Sequence, residues 1–327
     1  MPRPVPPKAA WRRGRLPAGL GVLTALALAG HRRLPDPGIG LRSLWESLLP
    51  WSAAPAVGLL LWAAVRRAPA VAVAAGALAA VWAVQFGPLL VTGPLLVTGQ
   101  GRQAGDGLTV VTHNVRADNR DQAGTARALL AAHPDLVALE EVTGPAWPAY
   151  QAVLGAELPH HFRSGTVGLW SRYPLAEAGR LVIDPGWNRS LRAEVRSPIG
   201  PLAVYVAHLG SVRPTLTGFA TAHRDRDLAA LGRALDAEPL RRVVLLGDLN
   251  AATDDHALAP LTERLTPARG GFGFTWPAAF PLARIDHLLT RDLSATTWTL
   301  PATASDHLPL AGTIRAPAPS GSDRGSP

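Results

Sequence analysis

The sequence predicts an α+β sandwich of packed sheets, preceded by an α-helical transmembrane segment. Two observations predict this class. Residues 108–315 alternate many short apolar runs at strand spacing with a few stretches at helical spacing, and they contain no internal repeat of fixed period. Residues 1–91 instead hold three uncharged apolar runs whose length and composition favour membrane helices.

The three apolar runs differ in how well they fit a membrane span. Residues 16–30 number 15, residues 48–65 number 18 and residues 68–91 number 24. A spanning helix needs about 20 apolar residues, so residues 1–91 are predicted to form an anchor of two or three transmembrane helices. The first run could instead be a signal peptide cleaved at Ala27-Leu28-Ala29. A buried helical hairpin of a soluble protein is the remaining alternative.

The basic charge of the chain is concentrated beside these apolar runs. The net charge is +8; residues 1–107 hold eleven Lys and Arg against three Asp and Glu, whereas residues 108–327 hold 21 of each. A basic excess beside apolar runs is typical of membrane topology, and the balanced remainder makes a nucleic-acid partner less favoured. The chain has no cysteine, which excludes disulfides and thiolate metal sites.

The positive-inside rule predicts a multi-pass cell-membrane protein with an extracytoplasmic C-terminal domain. Five basic residues precede the first run and an arginine pair, 66–67, separates the second run from the third, so both regions are expected in the cytoplasm. Arg32, Arg33 and Arg42, between the first two runs, depart from the rule. Three spans that begin inside place residues 92–327 outside the cytoplasmic membrane, and signal-peptide cleavage would leave that location unchanged.

The C-terminal elements follow from composition and periodicity. Residues 92–107 are rich in Gly, Thr and Gln and are predicted to be a linker, and residues 316–327 are rich in Pro, Ser and Gly and are predicted to be a disordered tail. Between them, helical spacing and flanking prolines predict helices at 123–132, 145–154 and 221–237. Apolar or alternating runs predict strands at 108–114, 135–139, 165–171, 178–183, 191–195, 202–208, 242–246, 283–289, 296–300 and 310–314.

Polar side chains stand at the ends of several of these strands. Asp248 and Asn250 follow the apolar run 243–246, and residues two apart on a strand point to the same side. Packing alone explains poorly why a carboxylate and an amide enter one pocket together. Similar polar strand ends occur at Asn114, Glu141, His208, Asp286 and Asp306-His307. Together they predict a metal-assisted site that cleaves phosphoesters.

The first two of these strand ends have structural alternatives. A carboxylate directly after a buried strand, such as Glu141, suits a hard cation such as Mg²⁺, but it would also suit a helix N-terminus. The adjacent Glu140 is expected on the opposite face if the strand continues. Asn114 could be a ligand or a phosphate donor, or it could close an Asx turn.

The histidines are also open to two interpretations. His208 leaves a strand into a Gly-containing loop, where it could contact phosphate or protonate a leaving group, or it could be structural. Asp-His dipeptides at 286–287 and 306–307 suggest carboxylates that orient imidazoles. His223 and His256 are expected in surface or loop positions and carry no assigned role. The sequence lacks the motifs of P-loop ATPases, α/β-hydrolases and zincins.

Seven short motifs, taken in order, resemble the endonuclease/exonuclease/phosphatase superfamily. They span nearly all of residues 108–315: Thr-His-Asn-Val (112–115), Pro-Asp-Leu-Val-Ala-Leu-Glu-Glu-Val (134–142), Gly-x-x-Ser-Arg-Tyr-Pro-Leu (168–175), Val-Ala-His-Leu-Gly (206–210), Gly-Asp-Leu-Asn-Ala (247–251), Arg-Ile-Asp-His (284–287) and Ser-Asp-His-Leu-Pro-Leu (305–310). The resemblance implies a four-layer α/β/β/α sandwich, as in DNase I-like proteins, with its site at one edge of the sheets.

The resemblance also implies a metal site for Mg²⁺, with Mn²⁺ as the alternative. Glu141 matches the metal ligand of the family, Asn114 lies beside it, and Asp306 adds a metal contact. One departure is Arg116, which stands where some nucleases of the family have an acidic residue. A second metal contact is therefore not expected at that position.

The remaining site residues have catalytic roles by the same resemblance. Asp248 matches the residue that orients or activates the attacking water, and Asn250 matches a phosphate contact. His307 matches the phosphate-facing catalytic histidine, and Asp286 the carboxylate that orients it. His208 matches a second catalytic histidine of some branches, including sphingomyelinase-like members.

The expected substrate is a membrane lipid phosphate. A short tether keeps the domain near the bilayer, and Trp170, Trp187 and Trp276 could meet lipid or could pack in the core or at its rim. The arrangement resembles bacterial membrane proteins linked to teicoplanin-type antibiotic resistance, which implies hydrolysis of a polyprenyl-pyrophosphate carrier. An extracytoplasmic Mg²⁺-dependent nuclease and a catalytically inactive binding module remain the alternatives.

Overall fold

The α+β architecture that the sequence predicts is confirmed in the computed structural model, which describes residues 14–36, 38–91 and 107–317. Two six-stranded sheets pack face to face, and apolar helices precede them. Most of the predicted linker, most of the predicted tail and four of the five basic residues before the first apolar run lie outside the described residues.

The helices form where apolar side chains recur at helical spacing. The α-helices are α1 Arg15–Ala29, α2 Leu41–Ser47, α3 Ala53–Arg66, α4 Pro69–Val91, α5 Gln122–Leu130, α6 Trp147–Glu157, α7 Ala222–Asp236 and α8 Ala259–Thr262. Short 3₁₀ turns occupy His31–Arg33, Leu49–Ser52 and His256–Leu258. Asp121 caps α5 by accepting a hydrogen bond from the backbone N–H of Gly124 (2.9 Å).

The strands form mostly where apolar side chains alternate or run continuously. They are β1 Gly107–Asn114, β2 Leu136–Glu140, β3 His160–Ser164, β4 Val167–Ser171, β5 Leu175–Arg180, β6 Ser190–Ser197, β7 Gly200–Ala207, β8 Pro214–Thr215, β9 Gly218–Phe219, β10 Val243–Asp248, β11 Thr266–Pro267, β12 Asp286–Arg291, β13 Ser294–Thr299 and β14 Leu310–Arg315. The sequence did not predict β3, β8, β9 or β11, because three of them have only two residues and β3 has no buried apolar face.

Sheet topology brings several strand ends to one edge. The first sheet has the order β13-β14-β1-β2-β4-β3 and the second β11-β12-β10-β7-β6-β5. β1 runs parallel to β2, and β7 runs parallel to β10, whereas β14 and β12 are antiparallel to β1 and β10. Parallel strands end at the same edge and an antiparallel neighbour begins there. The ends of β1, β2, β7 and β10 therefore lie with the starts of β12 and β14.

Three apolar clusters hold the sandwich together in four layers. One lies between the two sheets, with Val110 and Leu246 among its members. The second joins α7 to the outer face of the second sheet through Leu228, and the third joins α5 and α6 to the outer face of the first sheet through Leu129 and Tyr150. This arrangement confirms the predicted α/β/β/α sandwich.

Two helical segments are long and apolar enough to cross a membrane, judged by length and composition. They are Leu49–Arg66 and Pro69–Val91, whereas α1 has only 15 residues. Their outer faces are apolar and exposed; Val65 is 81% exposed and Val84 is 79% exposed. Only 22% of the first segment and 28% of the second is buried among the described residues, so neither is mostly buried here.

The residues between the first two apolar runs pack on the sandwich. We call residues 38–52 the docking segment; it comprises α2 and the 3₁₀ turn that follows. Glu46, 1% exposed, accepts hydrogen bonds from the backbone N–H of His256 (2.8 Å) and lies 2.6 Å from its Nδ1. Trp51 donates its indole N–H to the carbonyl of Leu282 (2.8 Å). The segment is therefore tied to the sandwich by buried polar contacts.

Candidate active site

Asn114 joins the two sheets at the edge where their strands end. Its amide nitrogen donates to Glu141 Oε1 (3.2 Å) and to Asp248 Oδ2 (3.0 Å), and its amide oxygen accepts from the N–H of Arg116 (3.0 Å). Asn114 is buried, and both carboxylates are held by further backbone donors. The structure therefore brings together three of the residues that the sequence assigned to the site.

Glu140 and Glu141 differ in backbone conformation, because β2 ends between them. β2 ends at Glu140, which pairs in register with Asn114, and Glu141 has a left-handed backbone with φ of +62°. Glu140 therefore lies on the same side as Asn114, where it is fully buried and accepts a hydrogen bond from the Thr112 hydroxyl (3.0 Å). The expectation that Glu140 faces away was conditional on the strand continuing, and the strand ends at Glu140. Burial, and then the charge of Asp286, raises the pKa of Glu140 well above its ordinary value.

Asp286 pairs with His307 and not with the histidine next to it. Its Oδ2 lies 2.8 Å from His307 Nδ1, whereas His287 turns away and bonds the carbonyl of Ala251 (2.8 Å). The carboxylate of one Asp-His dipeptide thus orients the imidazole of the other. Burial would lower the pKa of His307, but the charge and hydrogen bond of Asp286 and the charge of Asp248 outweigh it and raise this pKa to about 10.

His208 follows β7 of the second sheet and His307 precedes β14 of the first sheet, and both lie near Asp248. Their Nε2 atoms lie 3.7 Å and 3.8 Å from Asp248 Oδ2, and His208 Nε2 also lies 3.8 Å from Glu141 Oε1. Burial, and then the charge of Arg189, lowers the pKa of His208 to about 3, so this ring is neutral at pH 7. Burial, and then Asp286, raises the pKa of Asp248 to about 7.

Local backbone geometry presents Asp248 and Asn250 to the same space. Gly247 has φ of +140°, and a Cβ there would overlap the carbonyl oxygen of Ala207 on β7. Asn250 has φ of +49°; its N–H donates to Asp248 Oδ1 (3.0 Å) and its amide nitrogen to the carbonyl of Leu209 (3.0 Å). The Asn250 side chain is therefore fixed beside Asp248.

The comparisons with known proteins agree with this geometry. The Endonuclease/Exonuclease/phosphatase family matches residues 111–307, which is more than half of the chain. The chain belongs to the endonuclease/exonuclease/phosphatase family. The members of this family are hydrolases of phosphoester bonds, and the chain has their fold. A comparison with curated protein sequences gives no match.

Several solved structures share the fold of this family member at low sequence identity. Sphingomyelinase C from Streptomyces griseocarneus is 19% identical, with 65% of this chain and 100% of that chain covered and a TM-score of 0.52. The humanized D. rerio TDP2 with 14 mutations is 19% identical, with 65% of this chain and 100% of that chain covered and a TM-score of 0.55. An endonuclease/exonuclease/phosphatase from Beutenbergia cavernae DSM 12333 is 21% identical, with 65% of this chain and 72% of that chain covered and a TM-score of 0.51.

The residues of this family member fit a hard divalent cation. Glu141 is 28% exposed at its side chain, and Asp248 Oδ2 lies behind it, so two carboxylates flank one space. His208 Nε2, buried in the same wall, has no hydrogen-bond partner among the described residues. Oxygen donors of this kind suit Mg²⁺. Asn114 turns its amide nitrogen to both carboxylates, so in this orientation it positions Glu141.

A second group of ligand-type atoms does not fit a metal ion. Asp248, Asp286 and His307 offer atoms within 4.8 Å of one another. His307 Nδ1 lies 2.8 Å from Asp286 Oδ2, so these two atoms are paired with each other and are not directed to a common ion. This group is therefore an ion pair with a neighbouring carboxyl group. Asp306 is exposed on the same cavity, where its charge adds to the raised pKa of His307.

Two arginines near the site were not found from the sequence. Arg189 precedes β6, its guanidinium lies over the Trp187 ring at 3.5 Å, and its Nε has no hydrogen-bond partner among the described residues. Its carbonyl accepts a hydrogen bond from the N–H of His208 (2.9 Å), and burial lowers the pKa of its guanidinium group while the charges of Glu141 and Asp248 act against this. Because β6 is antiparallel to β7, its start lies at the edge where β7 ends, and this pairing is the signal that could have found it.

The second arginine supports the loop that follows β10. Arg224 is 1% exposed and donates to the carbonyl of Asn250 (3.0 Å), to Asp255 Oδ2 (2.8 Å) and to the hydroxyl of Ser43 (2.9 Å). The same side chain therefore contacts the active-site loop and the docking segment. Within α7 it resembles any solvated helix residue, so the sequence carries no signal for this role.

One cavity of about 710 Å³ contains the site and has two kinds of wall. Asn114, Glu141, Asp248 and His307 line one part, and apolar side chains of the docking segment and of the loop before β12 line another. Among the three tryptophans, Trp276 lines this cavity, whereas Trp187 is not one of its lining residues and stacks on His223. Trp170 is fully buried and stacks on Trp147, so its interpretation as a core residue is the correct one.

Proposed function

We propose that this protein is a metal-dependent phosphoesterase whose site lies on the extracytoplasmic side of the membrane. Its substrate is a lipid-linked phosphate or pyrophosphate of the polyprenyl-pyrophosphate type. The observation that carries the proposal is the single cavity in which the polar cluster of Asn114, Glu141, Asp248 and His307 meets an apolar wall from the docking segment. A phosphate joined to a hydrocarbon chain complements both walls, whereas a nucleic acid complements only the polar one.

Glu141 would hold the cation, with Asn114 keeping its carboxylate in position beside Asp248. A bound Mg²⁺, or Mn²⁺, would neutralise charge on the phosphoryl oxygens. Ala117 donates its N–H to Glu141 Oε2 (2.9 Å) and Asn114 donates to Oε1 (3.2 Å), so the carboxylate has a fixed position in the cavity wall. The residues of the chain supply the remaining chemistry.

His307 would place a positively charged imidazole beside the phosphate. Its Nδ1 is held by Asp286, so its Nε2 proton faces the space beside Asp248 and can donate to a phosphoryl oxygen. Donors fixed before the reaction stabilise the charge that develops on such oxygens. Asn250 and Arg189 lie at the same edge and add an amide and a guanidinium group.

Asp248 is suited to accept a proton from the attacking water. Its pKa of about 7 lies near the working pH, where a general base is most effective. The Asn250 N–H holds its Oδ1, so Oδ2 faces the histidines and the cavity. The neutral His208 has no net charge that would compete with His307, and its ring fills the wall between Glu141 and Asp248.

The proposed location rests on the helices and the docking segment. Leu49–Arg66 and Pro69–Val91 have the length of membrane spans. The docking segment and the sandwich contact each other, so both lie on the same side of a membrane. Two spans joined at Arg66-Arg67 keep that relation, and the arginine pair then lies on the other, cytoplasmic side.

An assay of the purified full chain in nanodiscs tests the proposal. With Mg²⁺ present, we expect cleavage of a polyprenyl pyrophosphate and much weaker cleavage of plasmid DNA, with a sphingomyelin-like diester as the third substrate. Chelation of the metal should abolish the activity and added Mg²⁺ should restore it. Cleavage of DNA alone would favour an extracytoplasmic nuclease, and no cleavage of any of the three would favour a binding module.

A further inference from the structure

The apolar wall of the active-site cavity has contributions from two parts of the chain. Leu44 and Leu48 come from the docking segment, and Trp276 and Leu282 come from the loop before β12. Leu44 is 39% exposed, Leu48 43% and Trp276 41%, so each presents apolar surface to the cavity. An apolar wall that adjoins a charged phosphate site complements a ligand that has both a hydrocarbon part and a phosphate part.

The docking segment is fixed in place and does not merely rest on the sandwich. Ser43 donates to Asp255 Oδ1 (3.1 Å) and accepts from Arg224, and all three side chains are at least 95% buried. Buried polar groups with partners are costly to separate. Leu44, the next residue along α2, therefore has a defined position relative to the site.

The apolar wall leads directly to the proposed membrane spans. Leu48 lines the cavity, and the apolar segment Leu49–Arg66 begins at the next residue. Trp51 stacks on Phe274 (5.6 Å) at the start of this segment, where tryptophans of membrane proteins commonly meet the interface. The apolar wall is thus continuous, at Leu48 and Leu49, with the first proposed span.

We propose that Leu44, Leu48, Trp276 and Leu282 form a subsite for the hydrocarbon chain of the substrate next to its phosphate. This inference rests on the proposed function and names the specificity determinants of that site. The docking segment is then part of the active site as well as part of the membrane anchor. A cavity of this size takes the phosphate groups and the first part of the chain, and the rest of the chain stays in the bilayer.

A chain-length series of prenyl pyrophosphates tests the subsite. The full chain in nanodiscs is assayed with substrates of one, three and eleven isoprene units, and kcat/KM is compared. The wild type should prefer the longer substrates. In the double variant Leu44→Ser/Leu48→Ser, the ratio of kcat/KM for the three-unit to that for the one-unit substrate should fall about tenfold, because buried apolar contact is lost.

Leu41→Ser provides the matched control. Leu41 lies on the same helix and is 48% exposed, but it does not line the cavity, so its substitution should leave the ratio unchanged. Trp276→Ala tests the part of the apolar wall that comes from the loop before β12. It should lower the same ratio, and it keeps the test available if the double variant fails to fold. Equal ratios in wild type and both variants would overturn the subsite while leaving the phosphoesterase intact. Absence of cleavage of every chain length by the wild type would instead overturn the proposed function.

Discussion

At the scale of single residues, the charge state of the site depends on the ion pair between Asp286 and His307. Burial acts to lower the pKa of His307 and to raise that of Asp286. The charge of each group and the hydrogen bond between them outweigh burial, so the pKa of His307 is raised to about 10 and that of Asp286 is lowered. The pair therefore stabilises the fold fully below the ordinary histidine pKa of 6.5, and this contribution is lost as pH rises through about 10. On the acid side it is lost as pH falls through the lowered pKa of Asp286.

Asp286→Asn should remove the main cause of the raised His307 pKa. Burial would then dominate, so the pKa should fall from about 10 towards or below 6.5. Titration of the imidazole resonances by NMR in the metal-free protein measures it. Asp306→Asn is the control: Asp306 is exposed and adds least to the shift, so the pKa should stay near 10. A His307 pKa near 10 in Asp286→Asn would contradict the assigned pairing.

Glu141→Ala should abolish most activity without loss of the fold. Glu141 lies on a turn after β2, outside the apolar clusters, so its removal takes away a cation ligand and little packing. We expect kcat to fall by about a hundredfold or more. Circular dichroism and thermal unfolding check the fold, and Glu157→Gln, at the exposed end of α6, is the control. Near wild-type turnover in a folded Glu141→Ala protein would sink the metal assignment.

The sequence predicted the members of the site better than their contacts. Asn114, Glu141, Asp248 and Asn250 stand at strand ends, and strand ends are visible in a sequence. The side on which Glu140 lies depends on the left-handed backbone of its neighbour, which no local pattern reveals. The contacts of Arg189 and Arg224 depend on strand pairing and on a segment far away in the chain.

At the scale of secondary-structure elements, the approach of β10 to β7 depends on a glycine. Gly247→Ala should destabilise the protein by about 2 kcal/mol or more, because its φ of +140° is strained for alanine and its Cβ would overlap the Ala207 carbonyl. Urea unfolding measures the effect. Gly179→Ala on β5 is the matched control, since a Cβ there has nothing within 4 Å, and it should change stability by less than about 0.5 kcal/mol. Equal effects would contradict the role of Gly247.

The docking of α2 depends on one buried carboxylate. Glu46→Ala would leave the N–H and Nδ1 of His256 without their acceptor and release Arg42, at a cost of about 1–3 kcal/mol. We expect faster hydrogen exchange in α2 and in residues 252–258, with the sheets unchanged. Glu177→Ala, whose side chain is 75% exposed, is the control. Unchanged exchange in α2 would show that the docking segment is held in another way.

Most of the elements that the sequence did not predict are short. α2 has seven residues and β8 and β9 have two each, which is too few for a period to appear. They form because of tertiary contacts: the Phe219 N–H donates to the carbonyl of Ile39 (2.8 Å), so the hairpin and the docking segment hold each other. Long periodic elements such as α7 and β10 were predicted to within two residues of their ends.

At the scale of the whole molecule, the absence of cysteine allows a direct test of topology. Thr217→Cys lies at the exposed tip of the β8-β9 hairpin and Arg67→Cys lies in the turn between the two apolar segments. In intact cells, a membrane-impermeant maleimide should label Thr217→Cys, and it should label Arg67→Cys only after permeabilisation. The opposite pattern would place the site in the cytoplasm and overturn the proposed location.

The contact between the docking segment and the sandwich was not predictable from the sequence. The contact between Glu46 and His256 joins positions 210 residues apart, and that between Ser43 and Arg224 joins positions 181 apart. Periodicity reports only neighbours along the chain. One feature of the sequence did depart from the positive-inside rule: the arginines between the first two apolar runs. In the structure one of them, Arg42, forms an ion pair with Glu46 of the docking segment (2.9 Å).

This long separation sets an order of events during synthesis. The docking segment leaves the ribosome first, and at about 5–20 residues per second His256 follows Glu46 by roughly 10–40 s. During that interval the carboxylate of Glu46 and the hydroxyl of Ser43 remain solvated, because their partners do not yet exist. In the proposed topology the helices enter the bilayer before the sandwich folds, and the sandwich then folds against a docking segment that is already in place.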